Sequence, residues 1–283
     1  MKSFLKRQSL KCVILLLGAL PASAELPALG DGQWLGYFAV ARERSYQFTV
    51  AATDLAIVLQ PVNKDGDVLA GVPVTLDLGI LQALPDGTSM FHALRRDTLE
   101  TSSPATADLQ RTSFRCKAAG DAVIEVSMEK AKGALIIESC IVDPGTLPKE
   151  CLKPLILLNT PPMYGVEIQE KSEWTRGQIK EFEQRISKDK IRLKWLDGVS
   201  KSLKPSEKLD ADIRKAFGAG LVSAEIEFSK WQGRVLQVAT DGGCSLSMAM
   251  AGPSFLNEGF EIRCAPDSLN NPKNTARFRI LMK

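Results

Sequence analysis

Short apolar or alternating runs, separated by turn-forming residues, dominate residues 34–142 and constrain the fold more than any other feature of the chain. Runs such as YQFTVA and VLAGVPVTLDL alternate with a period of two, which places successive side chains on opposite faces of a strand. Turn signals at residues 63–67 and 85–88 separate these runs. The pattern predicts a β domain.

The spacing of these strands predicts an immunoglobulin-like β-sandwich over residues 25–145. Within it, the segment DAVIEVSMEKAKGALIIESCIV is typical of a hairpin whose polar link is residues 130–133. Prolines then become frequent, and residues 146–163 are predicted to be a Pro-rich linker. Inside this linker, the run PLILL is a candidate for a strand that packs between two domains.

Residues 164–283 show a different pattern, which predicts an α+β domain. Thr175 and Gln178 form a capping box, so a helix should begin there and end near Lys188. Ser206 is placed to cap a second helix that ends before Gly218 or Gly220. Strand-like runs return in AEIEF, RVLQVA, CSLSMAM, FEIRC and ARFRIL. The fold class is therefore mainly β with α+β: the sandwich, then a C-terminal antiparallel sheet with two helices.

Residues 1–24 have the three parts of a secretory signal peptide: a basic front, an apolar core, and small residues at 22–24 for cleavage. The chain is therefore predicted to be exported, either to a periplasm or to the extracellular space. The apolar core of this segment is short for a membrane span, and later apolar runs are shorter still. We expect no transmembrane segment after cleavage.

The charge balance argues against a nucleic-acid partner. Residues 25–283 carry 32 Lys and Arg against 33 Asp and Glu, which leaves no dominant basic footprint. The charge is uneven, since residues 25–147 hold 10 basic and 16 acidic side chains and residues 148–283 hold 22 and 17. This asymmetry fits a basic face for an anionic partner, but two complementary domains or merely solvated surfaces are the favoured explanation, because such balances are common.

Five cysteines follow the signal peptide, and an oxidising compartment favours at least one disulfide among them. If Cys244 bridges Cys264 across a hairpin, the register places Met248 opposite Phe260. Every paired residue on that face is then apolar. This prediction displaces the alternative that Cys244 and the methionines of CSLSMAM bind a soft metal. The pairing of the other three cysteines stays open, and they are Cys116, Cys140 and Cys151.

Catalytic signatures are scarce. His92 is the single histidine of the chain, and no nucleophile elbow, phosphate loop or multi-histidine metal motif accompanies it. The sequence therefore predicts no cofactor and no metal site. Hydrolysis of polysaccharide or peptidoglycan by a pair of carboxylates stays open as an alternative, because such acids meet in space and not in sequence.

Trp231 is the candidate binding residue, because it stands in the polar link between two predicted strands, AEIEF and RVLQVA. An exposed tryptophan there would offer a stacking platform for a sugar ring or for the apolar surface of a protein partner. The alternative is an indole that folds back onto the neighbouring strand. The expected function is thus that of an exported, non-catalytic binding or structural protein of the cell envelope or extracellular space.

Overall fold

The computed structural model shows a mainly β protein built on one large antiparallel sheet. The first predicted helix is present, whereas the second one and the signal peptide lie outside the described residues. The structure describes residues 28–204, 220–240, 243–250, 259–267 and 273–283.

Within these described ranges the sheet contains 17 strands. The strands are β1 (Tyr37–Arg42), β2 (Tyr46–Ala51), β3 (Ile57–Pro61), β4 (Val74–Ala83), β5 (Ser89–Ala93), β6 (Arg95–Thr101), β7 (Arg111–Lys117), β8 (Val123–Ala131), β9 (Ala134–Asp143), β10 (Leu152–Thr160), β11 (Lys190–Trp195), β12 (Ser200–Leu203), β13 (Leu221–Glu227), β14 (Val235–Thr240), β15 (Cys244–Met250), β16 (Phe260–Pro266) and β17 (Thr275–Met282). The helices are α1 (Gly165–Glu170) and α2 (Arg176–Ile186), and 3-10 turns lie at Ala119–Asp121, Lys149–Cys151, Lys171–Glu173 and Ser229–Trp231.

Strand β10 forms within the segment that the prolines mark as a linker. It pairs along one edge with β4 and along the other with β16. Both faces of the strand are covered, because four successive side chains are buried: Leu155, Ile156, Leu157 and Leu158. The run PLILL is thus a central strand whose neighbours come from the N-terminal and C-terminal parts of the chain.

The sheet folds over so that two arms face each other. One arm runs in the order β12-β11-β13-β14-β17-β9-β8-β7-β6, and the other runs β1-β2-β3-β4-β10-β16-β15. Strands β10 and β16 pack across the interior, β10 against β9 and both against β17. A single cluster of buried apolar side chains includes residues of both arms, for example Leu158 and Phe278. The division into two domains stays a prediction.

Helix α2 begins where the capping box predicts. The Thr175 side chain accepts from the backbone amide of Gln178, and the Gln178 side chain accepts from that of Thr175. Phe182 and Ile186 form the buried stripe of the helix, and Trp174 packs edge-on against Phe182 with ring centroids 5.2 Å apart. The predicted hairpin of β8 and β9 is also confirmed.

The predicted register of β15 and β16 is wrong by two residues. Met248 lies opposite Ile262, not Phe260, and Cys264 lies opposite Leu246. A slip of two residues leaves every side chain on its original face, so an apolar pattern specifies the face but not the register. On its other edge β16 is held by β10, where the buried Thr160 hydroxyl donates to the carbonyl of Phe260 and accepts from its amide.

Asp189 ties the end of α2 to the sheet. It is 1% exposed, and its carboxylate accepts from the Tyr164 hydroxyl at 2.6 Å and from the Ser229 amide at 2.8 Å. Burial raises the pKa of Asp189, although the hydrogen bonds from Tyr164 and Ser229 oppose that shift. This carboxylate therefore holds α1, β11 and the turn before β14 in one arrangement.

We predict a pH-dependent contribution of Asp189 to stability. Because the folded-state pKa is raised, the folded protein binds the proton more tightly than the unfolded chain does. That contribution is complete below the unfolded Asp pKa of about 4 and is lost as pH rises through the folded value. Urea unfolding across an acidic pH series should show this component in the wild-type protein and not in Asp189→Asn.

Tyr164→Phe sharpens this test, because it removes a hydrogen bond that lowers the pKa of Asp189. The decline in stability should then extend to higher pH. Identical pH profiles for the wild-type protein and Asp189→Asn would contradict the prediction.

Candidate functional site

The main candidate site is a pocket of about 310 Å³ at a gap in the sheet beside β4. Strands β3 and β5 follow one another along the same edge of β4, where Ile57 pairs with Leu76 and Ala93 pairs with Gly79. The pocket opens between these two pairs. Ten residues line it, and they are Asp54, Leu55, Ile57, Leu76, Asp77, Leu78, Phe91, Ala93, Leu94 and Phe114.

The pocket has an apolar interior and two exposed carboxylates. Phe114 comes from β7 in the facing arm and is 1% exposed, so it belongs to the core. Asp54 accepts from the amide of Ala56, and Asp77 accepts from the Asn159 side chain at 2.7 Å. Each of these bonds uses one carboxylate oxygen. Charged and apolar groups thus stand together, as they do in sites that bind amphiphilic groups.

Gly79 and Phe91 shape the rim of the pocket. A Cβ atom at Gly79 would lie 2.6 Å from the Phe91 ring and 2.3 Å from the carbonyl oxygen of His92, too close for any larger residue. The ring therefore lies against the backbone of β4. Phe91 is 36% exposed, so this aromatic side chain is only partly covered by the fold.

Leu55 lines the wall of the pocket in an unusual backbone conformation. Its φ is 58°, in the left-handed region that costs a side-chain-bearing residue of order 1 kcal/mol or more. The conformation follows from the tight turn between β2 and β3, in which the amide of Ala51 donates to the carbonyl of Ala56. Such outliers cluster at binding sites, which makes Leu55 part of the evidence for this one.

Strand β5 is an edge strand that borders the pocket. In the described part of the chain it pairs with β4 alone, and four of its five residues are exposed. Its sequence, SMFHA, carries no lysine, arginine, acid or proline. Proteins usually protect an exposed edge with such residues, because an unprotected edge can pair with another chain.

A second groove, of about 470 Å³, lies on β6, β7 and β8 and is polar. Glu100, Arg115 and Glu125 stand in a row across the three strands. Arg115 stands between the two acids in this row, and its guanidinium binds Glu125 at 2.6 Å. A carboxylate-dependent hydrolase needs two acids facing a substrate and a water, whereas here one of the two acids is paired with Arg115.

His92 lies on β5, and its Nε2 hydrogen-bonds to Oε1 of Gln82 across β4 and β5 at 2.8 Å. Among the residues that the structure describes, no group of three or more His, Cys, Asp or Glu side chains is placed to hold a metal ion.

No protein-family model matches this chain, and a comparison with curated proteins gives no match either. Of the helices in the described ranges, none has the length and apolar character that crossing a bilayer requires.

The expected exposure of Trp231 is wrong. The side chain is 0% exposed, its indole N–H donates to the carbonyl of Val72 at 3.3 Å, and its ring packs edge-on against Phe228. Gln232, in the left-handed conformation, ends the 3-10 turn, and the indole lies in the core. Trp231 therefore has no free ring face on which a sugar could stack, and it anchors the turn.

Cys244 and Cys264 occupy diagonal positions on β15 and β16, since Cys244 lies opposite Pro266. Their thiols hydrogen-bond to carbonyls of β17, from Cys244 to Thr275 and from Cys264 to Arg277. Two causes raise the pKa of Cys264 well above its usual value: the larger is its hydrogen bond with Cys244, and the second is burial. The two side chains are therefore neighbours, and their oxidation to a disulfide stays a prediction.

The pocket could not be predicted from the sequence, because its residues come from separate parts of the chain. Asp54, Asp77 and Phe91 lie up to 37 positions apart and belong to a turn and two strands. Nothing in their local pattern distinguishes them from ordinary turn and strand residues. The one available signal is the sequence SMFHA of β5, which lacks the charges typical of an exposed edge.

We predict that Trp231 contributes to stability. Trp231→Ala should lower the free energy of unfolding by about 3–5 kcal/mol, because it empties a buried site the size of an indole. Urea denaturation measures the change. Trp34→Ala is the matched control and should cost less, because Trp34 is only partly buried. A Trp231→Ala protein as stable as wild type would contradict the buried position.

We also predict a Cys244–Cys264 disulfide in protein purified after export. Peptide mapping without reduction should recover the two cysteines in one linked pair, and Cys264→Ser should destabilise the oxidised protein by about 3 kcal/mol. Recovery of both residues as free thiols would overturn this prediction. Mapping of the same digest also reports any pairing among Cys116, Cys140 and Cys151.

Proposed function

We propose that this chain is an exported, non-catalytic binding protein that captures an extended segment of a partner protein at β5. The observation that carries the proposal is an uncharged, exposed edge strand beside an apolar pocket. A segment added to such an edge gains main-chain hydrogen bonds, and a neighbouring pocket selects its side chains.

The geometry leaves room for an added strand. Strands β3 and β5 pair one after the other with the same edge of β4, and β2 pairs with the outer edge of β3. Within the described ranges no strand pairs with the outer edge of β5. A partner segment placed there would pair with β5 as β2 pairs with β3 and direct one apolar side chain toward Leu55 and Phe114 in the pocket.

Charge defines the preferred partner further. Asp54 and Asp77 line the same pocket as Leu55 and Leu78. A lysine or arginine two positions from the apolar side chain, on the same face of the added strand, would meet these carboxylates, and an acidic residue there would be repelled. The preferred segment is therefore a strand-forming sequence with one large apolar residue and a basic residue two positions away.

The immunoglobulin-like sandwich is part of this proposal. In it, β1–β5 and β6–β9 are the two sheets of residues 25–145, and the pocket lies between them. Phe38 of β1 packs edge-on against Phe114 of β7 with ring centroids 6.5 Å apart, which supports this arrangement. The pocket would then sit at an open side of the sandwich, where a ligand can reach the interior.

A peptide array tests the proposal. The peptides alternate Val and Thr around a central Leu, with Lys two positions after the Leu, or Glu there in the matched set. The wild-type protein should retain the Lys peptides, and Met90→Lys with Phe91→Lys should weaken binding at least about ten-fold, or 1.4 kcal/mol. Asp54→Asn with Asp77→Asn should remove the preference for Lys over Glu.

Glu100→Gln serves as the control, because it alters the polar groove and leaves β5 intact. Peptide binding should be unchanged in this variant. Retention of the peptides by the edge variants would contradict strand addition. Release of reducing ends from polysaccharide or peptidoglycan, abolished by Glu100→Gln, would instead establish the carboxylate-dependent hydrolase.

A further inference from the structure

The hairpin of β11 and β12 presents two apolar side chains to solvent at its tip. Leu196 is 83% exposed and Val199 is 57% exposed, which makes them the first and third most exposed of the large hydrophobic residues described. They stand three positions apart on either side of residues 197–198. Exposure of these side chains to water is unfavourable, and their transfer into an apolar environment lowers the free energy.

The turn itself is rigid. The amide of Trp195 donates to the carbonyl of Val199 at 2.9 Å, and that of Gly198 donates to the carbonyl of Trp195 at 3.1 Å. The Asp197 carboxylate accepts from the amide of Val199, and Gly198 takes a φ of 85° that favours glycine. Because the backbone is closed in this way, Leu196 is held outside the fold.

Lysines stand behind the tip on both faces of the hairpin. Lys194 pairs with Ser200, and Lys201 pairs with Leu193, so the two lysines point to opposite faces. Both are exposed, and in the described part of the chain neither has a carboxylate within ion-pair distance. An apolar tip is thus flanked by two cations.

Cations farther from the tip are neutralised. Arg192 binds Glu225 at 3.0 Å, and Lys190 binds Glu227 at 2.9 Å, both across β11 and β13. At the tip, Lys194 and Lys201 outnumber the acid of the turn, Asp197, whose carboxylate accepts from the amide of Val199. The end that carries Leu196 and Val199 therefore keeps a net positive charge.

We infer that this tip docks the protein reversibly on an anionic phospholipid surface. Leu196 and Val199 would enter the boundary between headgroups and acyl chains, and Lys194 and Lys201 would lie among anionic headgroups. A protein partner would have to combine an apolar hollow with acids on both sides, whereas a bilayer offers both features everywhere. The inference uses none of the pocket residues and does not depend on the partner proposed for β5.

Co-sedimentation with vesicles tests this inference on the full protein purified after export. Vesicles of phosphatidylcholine mixed with phosphatidylglycerol should retain the protein, and vesicles of phosphatidylcholine alone should retain much less. Leu196→Ser with Val199→Ser should weaken binding at least about ten-fold. Lys194→Gln with Lys201→Gln should weaken it by about twenty- to thirty-fold, and added salt should weaken wild-type binding in the same direction.

The matched control is Leu35→Ser with Val142→Ser, which removes one exposed leucine and one exposed valine elsewhere, 68% and 47% exposed. It should bind vesicles as wild type does, and so should Met90→Lys with Phe91→Lys. Thermal unfolding confirms that each variant is folded. The inference is overturned if wild type ignores anionic vesicles, or if the tip variant binds as tightly as wild type while the lysine variant does not.

Discussion

The paired edges of β10 are the constraint on which the rest of the structure depends. This strand contributes side chains to both of its faces, with Leu155 and Ile156 2% and 0% exposed, and it hydrogen-bonds to β4 and β16. A strand buried in this way has to be apolar throughout, which explains the uninterrupted run PLILL. The position of β16, which in turn pairs with β15, depends on this strand.

The sequence predicts this strand and its surroundings only in part. Apolar alternation and turn residues identify β8, β9 and the capping box of α2, because these features depend on neighbours a few positions away. The prolines wrongly suggest a linker where β10 forms. Pro154 has no amide hydrogen to donate, but the pairing of β10 with β16 begins only at Ile156, so the proline lies outside that ladder. A central strand can therefore contain a proline at this position.

Long-range choices are what the sequence does not determine. The β15–β16 register differs from expectation by two residues, and a slip of two preserves every buried face, so the apolar pattern alone does not distinguish the two registers. The burial of Trp231 depends on a partner distant in sequence, since its indole N–H donates to the carbonyl of Val72, 159 positions away. The pocket beside β5 arises in the same way, from segments that meet only once the sheet has closed.

The position of β17 has a consequence for folding. This strand holds residues 275–282, yet it lies between β9 and β14 and is not at an edge. Its pairing with β9 joins residues more than a hundred positions apart in the sequence. A topology that depends on such distant contacts folds slowly, because the entropy of closing a long loop is lost before the contacts form.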